Sequence, residues 1–355
     1  MIAHLRHSIK PPFMGGMEAH SDLLVRELVR AGHAPTLFAS GDSAADLPLH
    51  PICPQGYQHE LPWEKWHGTP TLAAWLGKAY GRAWEAIREG QFDVVHNNTL
   101  SPDIHQWALA DRIPTVTTLH VPPFASLATA VAMHAAPWHQ LTVPSHDQVN
   151  HWIEAAGDRL TVVANGIDLG HWLYKHSPGK RAIWFGRINP NKGTAEALRA
   201  ATAARIGLDV AGPIEDAAYF ESLRSLWGGG HRYVGHLAGA DLVAAVGQAS
   251  VALCTPLWDE PFGLVAAEAL ACGTPVAALN RGALSEVVGD CGAIVQTAAQ
   301  LPSAIERALA IPRAACRRRV EERFGADTMV RAYLPVYAAS IASASSAANI
   351  RAELA

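Results

Sequence analysis

The chain has 355 residues, of which 49% are apolar and 17% charged, and its formal net charge is -4. That length exceeds what one hydrophobic core usually fills, so two domains are expected. The mild acidity gives no global attraction to nucleic acid, and the composition is that of an ordinary soluble protein.

In chain order, short β-branched runs alternate with longer helical patterns. "IAHL", "APTLFAS", "DVVHN", "PTVTTLH", "QLTVPS" and "LTVVAN" read as strands of the first half. Between them, Met17 to Ala31 fits an amphipathic helix through Leu23, Leu24 and Leu28, stopped by Gly32. The pattern restarts with "RAIWFGR", "LDVAGP", "HRYVGH", "ASVALCTP", "TPVAALN" and "GAIVQ". Alternation of this kind predicts an α/β protein with doubly wound parallel sheets. The expected organisation is a Rossmann-like domain over 1–168, a linker over 169–180, a second Rossmann-like domain over 181–325, and a helix over 326–345 packing back towards the first domain. The two domains are expected to face each other across a cleft. The far end of the Ala/Ser-rich tail is expected to fray. The five cysteines are odd in number and never spaced as CxxC, which suits a reducing cytosol rather than a disulfide or zinc framework. With neither a signal peptide pattern nor a run of about 18 apolar residues, the chain reads as cytoplasmic, without a transmembrane segment. Peripheral membrane contact stays open, as does the oligomeric state.

Ligands of open α/β sheets gather where strand ends lead into helices, so three loops stand out. In "KPPFMGGMEAH", Gly15 and Gly16 precede a helix, either as a tight turn or as a place where backbone N–H groups approach an anion. In "FGRINPNKG", Arg187 and Lys192 follow the first strand of the second domain. They are either solvated or paired on a diphosphate, which a guanidinium fork and an ammonium suit well. In "WDEPFGLVAAEALACGTPV", Glu260 lies before a helix that Pro261 marks, and Glu268 lies inside it. Glu260 can reach a sugar ring while the N–H groups of Phe262, Gly263 and Leu264 point into the cleft; it could equally be solvated. Glu268 sits in a nearly all-apolar run, where an unpaired carboxylate is costly, and is expected to accept hydrogen bonds from a ribose.

These residues resemble the retaining glycosyltransferases of family 4, which have the two-domain GT-B fold. The resemblance is carried by the glycine pair, "GHAPTLFASGDS", "FDVVHNN", "TVTTLH", "VANGID", "FGRINPNKG", "VAGP" and "EPFGLVAAEALACGTPVAALNRGALSEVV". It implies that Arg187 and Lys192 hold the donor pyrophosphate, Glu268 the ribose and Glu260 hydroxyls of the transferred sugar. It also implies that His120 is the active-site histidine and that Gly16 sits beside the diphosphate. The donor is expected to be a nucleotide sugar, a UDP-sugar first, and the acceptor an unidentified hydroxyl. The reaction is expected to need no cofactor and no metal, since histidine pairs such as His4 and His7 or His134 and His139 lack a third ligand at recognisable spacing. A sugar-nucleotide epimerase or hydrolase, or a non-catalytic sugar-nucleotide-binding protein, would share the same motifs. One departure is "NRGALSEVV", which lacks the double glycine and proline common before that Glu and leaves a nucleotide contact of Glu286 open. Trp63, Trp66, Trp75 and Trp84 form either an acceptor wall or packing residues.

Overall fold

A computed structural model describes the backbone of residues 1–354 and the side chains through residue 346. The chain forms two compact units, one of Met1–Ala164 with Asp327–Ala355 and the other of Asn165–Ala326. The expectation about the tail falls largely on side chains outside the described residues.

The first unit contains β1 (Leu37–Ser40), β2 (Leu49–Cys53), β3 (Val95–Asn97), β4 (Thr115–Thr118), β5 (His139–Val143) and β6 (Leu160–Val162). The last four form one parallel ladder in the order β3-β4-β5-β6, and β1 pairs with β2. The expected strand "IAHL" shrinks to a bridge at Ile2, which pairs with both Phe38 and Asn97 and so joins the two ladders. β2 has no apolar signature because His50 and Pro51 are exposed in its middle. The helix Gly16–Arg30 buries Leu24, Val25 and Leu28. The long helix Ala326–Leu354 completes this unit: Met329, Val330, Tyr333, Val336 and Tyr337 share a buried cluster with Leu24, Leu28, Val116 and Val163. Burial of such side chains contributes about 1.5–3 kcal/mol each, which holds the helix far more firmly than its propensity could.

The second unit is one six-stranded parallel sheet. It contains β7 (Ala182–Phe185), β8 (Leu208–Ala211), β9 (Arg232–Gly235), β10 (Val251–Cys254), β11 (Val276–Leu279) and β12 (Gly292–Val295). Their order is β12-β11-β10-β7-β8-β9, so the chain starts in the middle, winds outwards one way, then returns to the other side of β7. The strand order therefore reverses between β7 and β10, and the loops leaving those two strands diverge from a common point. β7, β10 and β11 are buried along their whole length, as strands covered on both faces must be.

Residues 169–180 have no helix or strand and are fastened to the second unit, which begins at Asn165. Lys175 N–H donates to the Cys272 carbonyl at 3.0 Å, and the Arg317 guanidinium donates to the carbonyls of Trp172 and Leu169. Arg313 does more. Its guanidinium, on the helix Arg313–Arg323, donates to the carbonyls of Lys175, Ala249, Gly247 and Cys272 at 2.7–3.1 Å and to Thr274 Oγ1 at 3.0 Å. Two of those carbonyls close the helices Gly239–Gln248 and Leu264–Ala271, whose final C=O groups have no partner within the helix.

Arg313→Ala should lower the unfolding free energy by about 3 kcal/mol or more, because several buried acceptors lose their donor together. Arg313→Lys should recover only a fraction, since an ammonium cannot span the fork. Urea unfolding followed by tryptophan fluorescence measures both, and a loss below about 1 kcal/mol in Arg313→Ala would show that water replaces the guanidinium freely.

Candidate active site

The strand-order reversal of the second unit brings two of the three loops together. The chain leaves β7 through Gly186 to Arg187, whose Nη1 meets Glu215 Oε1 at 2.6 Å. Asn189 donates its side-chain amide to the other oxygen of Glu215, and its own Oδ1 accepts from Lys192 N–H at 3.1 Å. That capping bond sets the short turn Pro190–Lys192. The chain leaving β10 passes Thr255, whose hydroxyl donates to the Gly193 carbonyl at 2.7 Å, and Leu257, whose N–H donates to Asn191 O at 2.8 Å. The two loops are thus sewn together through their backbones. At their junction the Lys192 ammonium forms an ion pair with Glu260 Oε1, and the Trp258 indole N–H donates to the same oxygen at 2.9 Å. The ammonium lies 5.1 Å from the centre of the Trp258 ring, within cation–π range. Both cations predicted from the sequence are therefore held by carboxylates, and both pairs are partly exposed to solvent.

Glu268 is in the opposite situation. It lies, partly exposed itself, in the helix Leu264–Ala271 between buried Ala266, Ala267 and Ala269, and among the described residues its carboxyl has neither a hydrogen-bond nor an ion-pair partner. Burial pushes its pKa up to about 8. A carboxyl whose folded pKa is raised binds more protons folded than unfolded between the ordinary glutamate value and about 8, so it lowers stability increasingly as pH rises through that window. Its charge also adds to the burial that pushes the Cys254 and Cys272 thiols up to about 12.

Between the two glutamates, the Phe262 ring is buried edge-on against Phe324, with centroids 5.5 Å apart, so its side chain belongs to the core and not to a ligand surface. Gly263 has φ 92, a left-handed conformation, and an added Cβ would meet Leu284 Cδ2 at 2.6 Å. No other residue fits there without displacing Leu284. The helix starts at Leu264, not at Pro261; Ala266 N–H donates to the carbonyl of the capping Gly263 at 2.9 Å, and the N–H groups of Leu264 and Val265 have no partner inside the helix.

The first unit holds the remaining predicted residues. Gly15 caps the helix Gly16–Arg30, and a Cβ on it would meet Glu18 Oε2 at 2.8 Å. Glu18, in the first turn and buried, places a carboxylate at a helix start that would otherwise favour an anion, a feature the sequence reading missed. His120, two residues beyond β4, is 7% exposed. Its Nε2 is 2.8 Å from Asn98 Oδ1, and its ring meets that of His20, one turn into the glycine-capped helix, edge-on at 4.7 Å. Burial first, then the neighbouring His20, His96 and His4, hold its pKa well below the ordinary histidine value, so the ring is neutral at neutral pH.

Of the four tryptophans, Trp84 is core and Trp66 and Trp75 pack on the same cluster. Trp63 is 40% exposed, with the Arg6 guanidinium 5.6 Å from its centre and the His67 ring stacked at 5.2 Å. Among the described residues no three His, Cys, Asp or Glu side chains are grouped as metal ligands, and no helix is long and apolar enough to cross a membrane. The sequence reading also passed over Glu215, Trp258 and Asn98. Each sits within a few residues of a strand end or of Glu260, the one signal that could have exposed them.

The profile of the family described as Glycosyltransferase Family 4 matches residues 14–171, and that of Glycosyl transferases group 1 matches residues 179–310. The chain is 26% identical over 391 residues to the glycogen synthase of Mycobacterium tuberculosis, covering 93% of this chain and 92% of that one. It is 29% identical over 303 residues to the phosphatidyl-myo-inositol mannosyltransferase of Mycolicibacterium smegmatis, covering 79% and 77%. Among solved structures it resembles Anabaena HepE in complex with UDP-glucose, at 18% identity and a TM-score of 0.71, over 96% of this chain and 99% of that one. The two profiles in tandem, with two Rossmann-like parallel-sheet units of the kind found in GT-B enzymes, establish that this chain belongs to glycosyltransferase family 4.

Proposed function

We propose that the protein is a configuration-retaining transferase that moves a sugar from a nucleoside diphosphate sugar, a UDP-sugar first, to an acceptor hydroxyl. The observation that carries this is the junction of the β7 and β10 loops, where Lys192 pairs with Glu260 and Arg187 with Glu215, while Glu268 on the following helix has no partner among the described residues. HepE, solved with UDP and with UDP-glucose, supports the choice of nucleotide.

In this reading Arg187 and Lys192 take the diphosphate, exchanging Glu215 and Glu260 for phosphate oxygens. Released from the ammonium, Glu260 accepts hydrogen bonds from the transferred sugar. Glu268 gains the ribose hydroxyls as the donors that it lacks, and Gly15 and Gly16 leave backbone beside the diphosphate. The neutral His120 bonds a sugar hydroxyl. The bond from the anomeric carbon to the diphosphate breaks as the acceptor oxygen bonds to the same face, and the acceptor proton passes to the departing phosphate oxygen. No protein nucleophile is required. The two basic side chains and the first-turn N–H groups carry the leaving-group charge, so the proposed reaction is independent of metal. Five free cysteines, all buried, support a cytoplasmic setting.

A thermal-shift screen of nucleotide sugars tests the donor, since a ligand at 100 times its dissociation constant adds about 2.7 kcal/mol. A UDP-sugar should stabilise the protein, and its transfer to an added acceptor should keep the anomeric configuration and persist in excess EDTA. Epimerised or hydrolysed donor regardless of acceptor, or activity abolished by EDTA and restored by manganese, would replace this reading.

Arg187→Ala and Lys192→Ala should each weaken the free nucleoside diphosphate about as much as the intact donor, measured by calorimetry, because the lost contact is to phosphate. Unchanged diphosphate affinity in both would remove the assignment.

The two glutamates should fail differently. Glu260→Gln frees Lys192 from its ion pair, so diphosphate affinity should hold or tighten while kcat falls. Glu268→Gln should chiefly raise the donor KM, and should also melt higher than the parent protein above pH 8, with the difference shrinking towards pH 5, because the amide carries no desolvated charge. Melting curves that stay parallel across that range would show that the Glu268 carboxyl is solvated.

A further inference from the structure

The first unit contains a chain of buried polar groups ending at His120. Asn98, one residue past β3, is fully buried. Its Oδ1 is 2.8 Å from His120 Nε2 and 3.1 Å from His96 Nε2, and its Nδ2 faces Met1 Sδ at 3.0 Å and Ser21 Oγ at 3.5 Å. A thioether sulfur only accepts, so the amide nitrogen belongs on that side and the carbonyl oxygen on the side of the two imidazoles. An amide oxygen also only accepts. Both histidines must therefore carry their proton on Nε2.

The far end of the chain agrees with this. With Nε2 protonated, neutral His96 can only accept at Nδ1, and there the hydroxyl of Tyr337, on the long C-terminal helix, stands at 2.6 Å. His96 Nε2 also lies 3.0 Å from Thr118 Oγ1, which is 2.9 Å from the Tyr333 hydroxyl and 2.8 Å from Thr142 Oγ1. The protons on Tyr337, the two imidazoles and the amide then have one consistent set of places: Tyr337 donates to His96, His96 and His120 donate to Asn98, and Asn98 donates to Met1 and Ser21. The lone pair left over is on His120 Nδ1.

We propose that Asn98 is the positioning residue for His120, fixing it as the Nε2–H tautomer so that Nδ1 meets the substrate as a hydrogen-bond acceptor, with His96 and Tyr337 of the C-terminal helix holding Asn98 in place. This rests on the assignment of His120 to the reaction. It specifies the chemistry of the group that His120 recognises: a donor such as a sugar hydroxyl, not a phosphate or carboxylate oxygen.

Imidazole nitrogen NMR on the full chain reads the tautomer directly, with the His120 signals identified by their loss in His120→Gln. The parent protein should show a protonated Nε2 and a bare, pyridine-like Nδ1; a proton on Nδ1 overturns the proposal. In Asn98→Ala the ring should become a mixture of both tautomers and kcat should fall about 10–100-fold, the size of effect seen where the partner that orients a metal-bound histidine is removed. Diphosphate affinity should be unchanged. A His120 that stays purely Nε2–H in this variant overturns the proposal, and a loss of melting temperature without a change of tautomer would reduce Asn98 to a packing residue. Should Asn98→Ala fail to fold, Asn98→Asp keeps shape and acceptor. It should hold the proton on Nε2 and raise the pH at which the ring takes a second proton, against the groups that face it, His20, His96 and His4. An unaltered titration would overturn the contact. If His120→Gln retains full transfer, the role of His120 falls while the tautomer result stands, so the two failures are distinguishable.

Discussion

The reversal of strand order between β7 and β10 is the constraint on which the candidate site depends. A parallel sheet that winds outwards in both directions from a central strand leaves one point where successive loops turn to opposite sides, and backbone there is open to a ligand. Arg187 and Lys192 leave from one strand and Glu260 from the other, 68 residues beyond Lys192. Their meeting follows from topology. The bonds from Thr255 to Gly193 and from Leu257 to Asn191 then fix the distance between the loops.

The two glutamates show how one motif carries opposite electrostatics. Glu260 is satisfied by Lys192 and Trp258. Glu268 has no such partner and sits where its charged form is unfavourable. A protein selected for stability alone would place an alanine or a glutamine in that helix, since its neighbours are alanines packed against the sheet. An acid kept there sets the packing of the helix against the charge that it carries.

That conflict is tolerable because the helix carrying Glu268 is clamped from outside. Arg313 and Arg317 take the carbonyls of Cys272 and Ala271 at its C-terminal end, while Gly263 packs under Leu284 at its start. The same guanidinium groups tie residues 169–175 to the unit, so a stretch without regular structure becomes part of the scaffold. In the first unit the corresponding support comes from the long C-terminal helix, whose Tyr333 and Tyr337 hydroxyls reach the polar groups behind His120.

The alternation of strands and helices, the six strands of the second unit, the loops that carry Arg187, Lys192 and Glu260 and the helix that carries Glu268 were legible in the sequence, because hydrophobic periodicity and glycine or proline punctuation are local signals. The strand at His50 and Pro51 was not, since exposed polar residues there mask a ladder that Ile52 and Cys53 complete. Nor was the attachment of residues 169–180, because side-chain donors from more than a hundred residues away leave no local trace. Which partner each group meets was likewise decided only by tertiary structure: Glu215 for Arg187, 28 residues away, Glu260 for Lys192, 68 away, and Tyr337 for His96, 241 away. Sequence determined which groups are available at each strand end, since that depends on neighbours along the chain; folding decided which charges are neutralised and which are left desolvated, since that depends on neighbours in space.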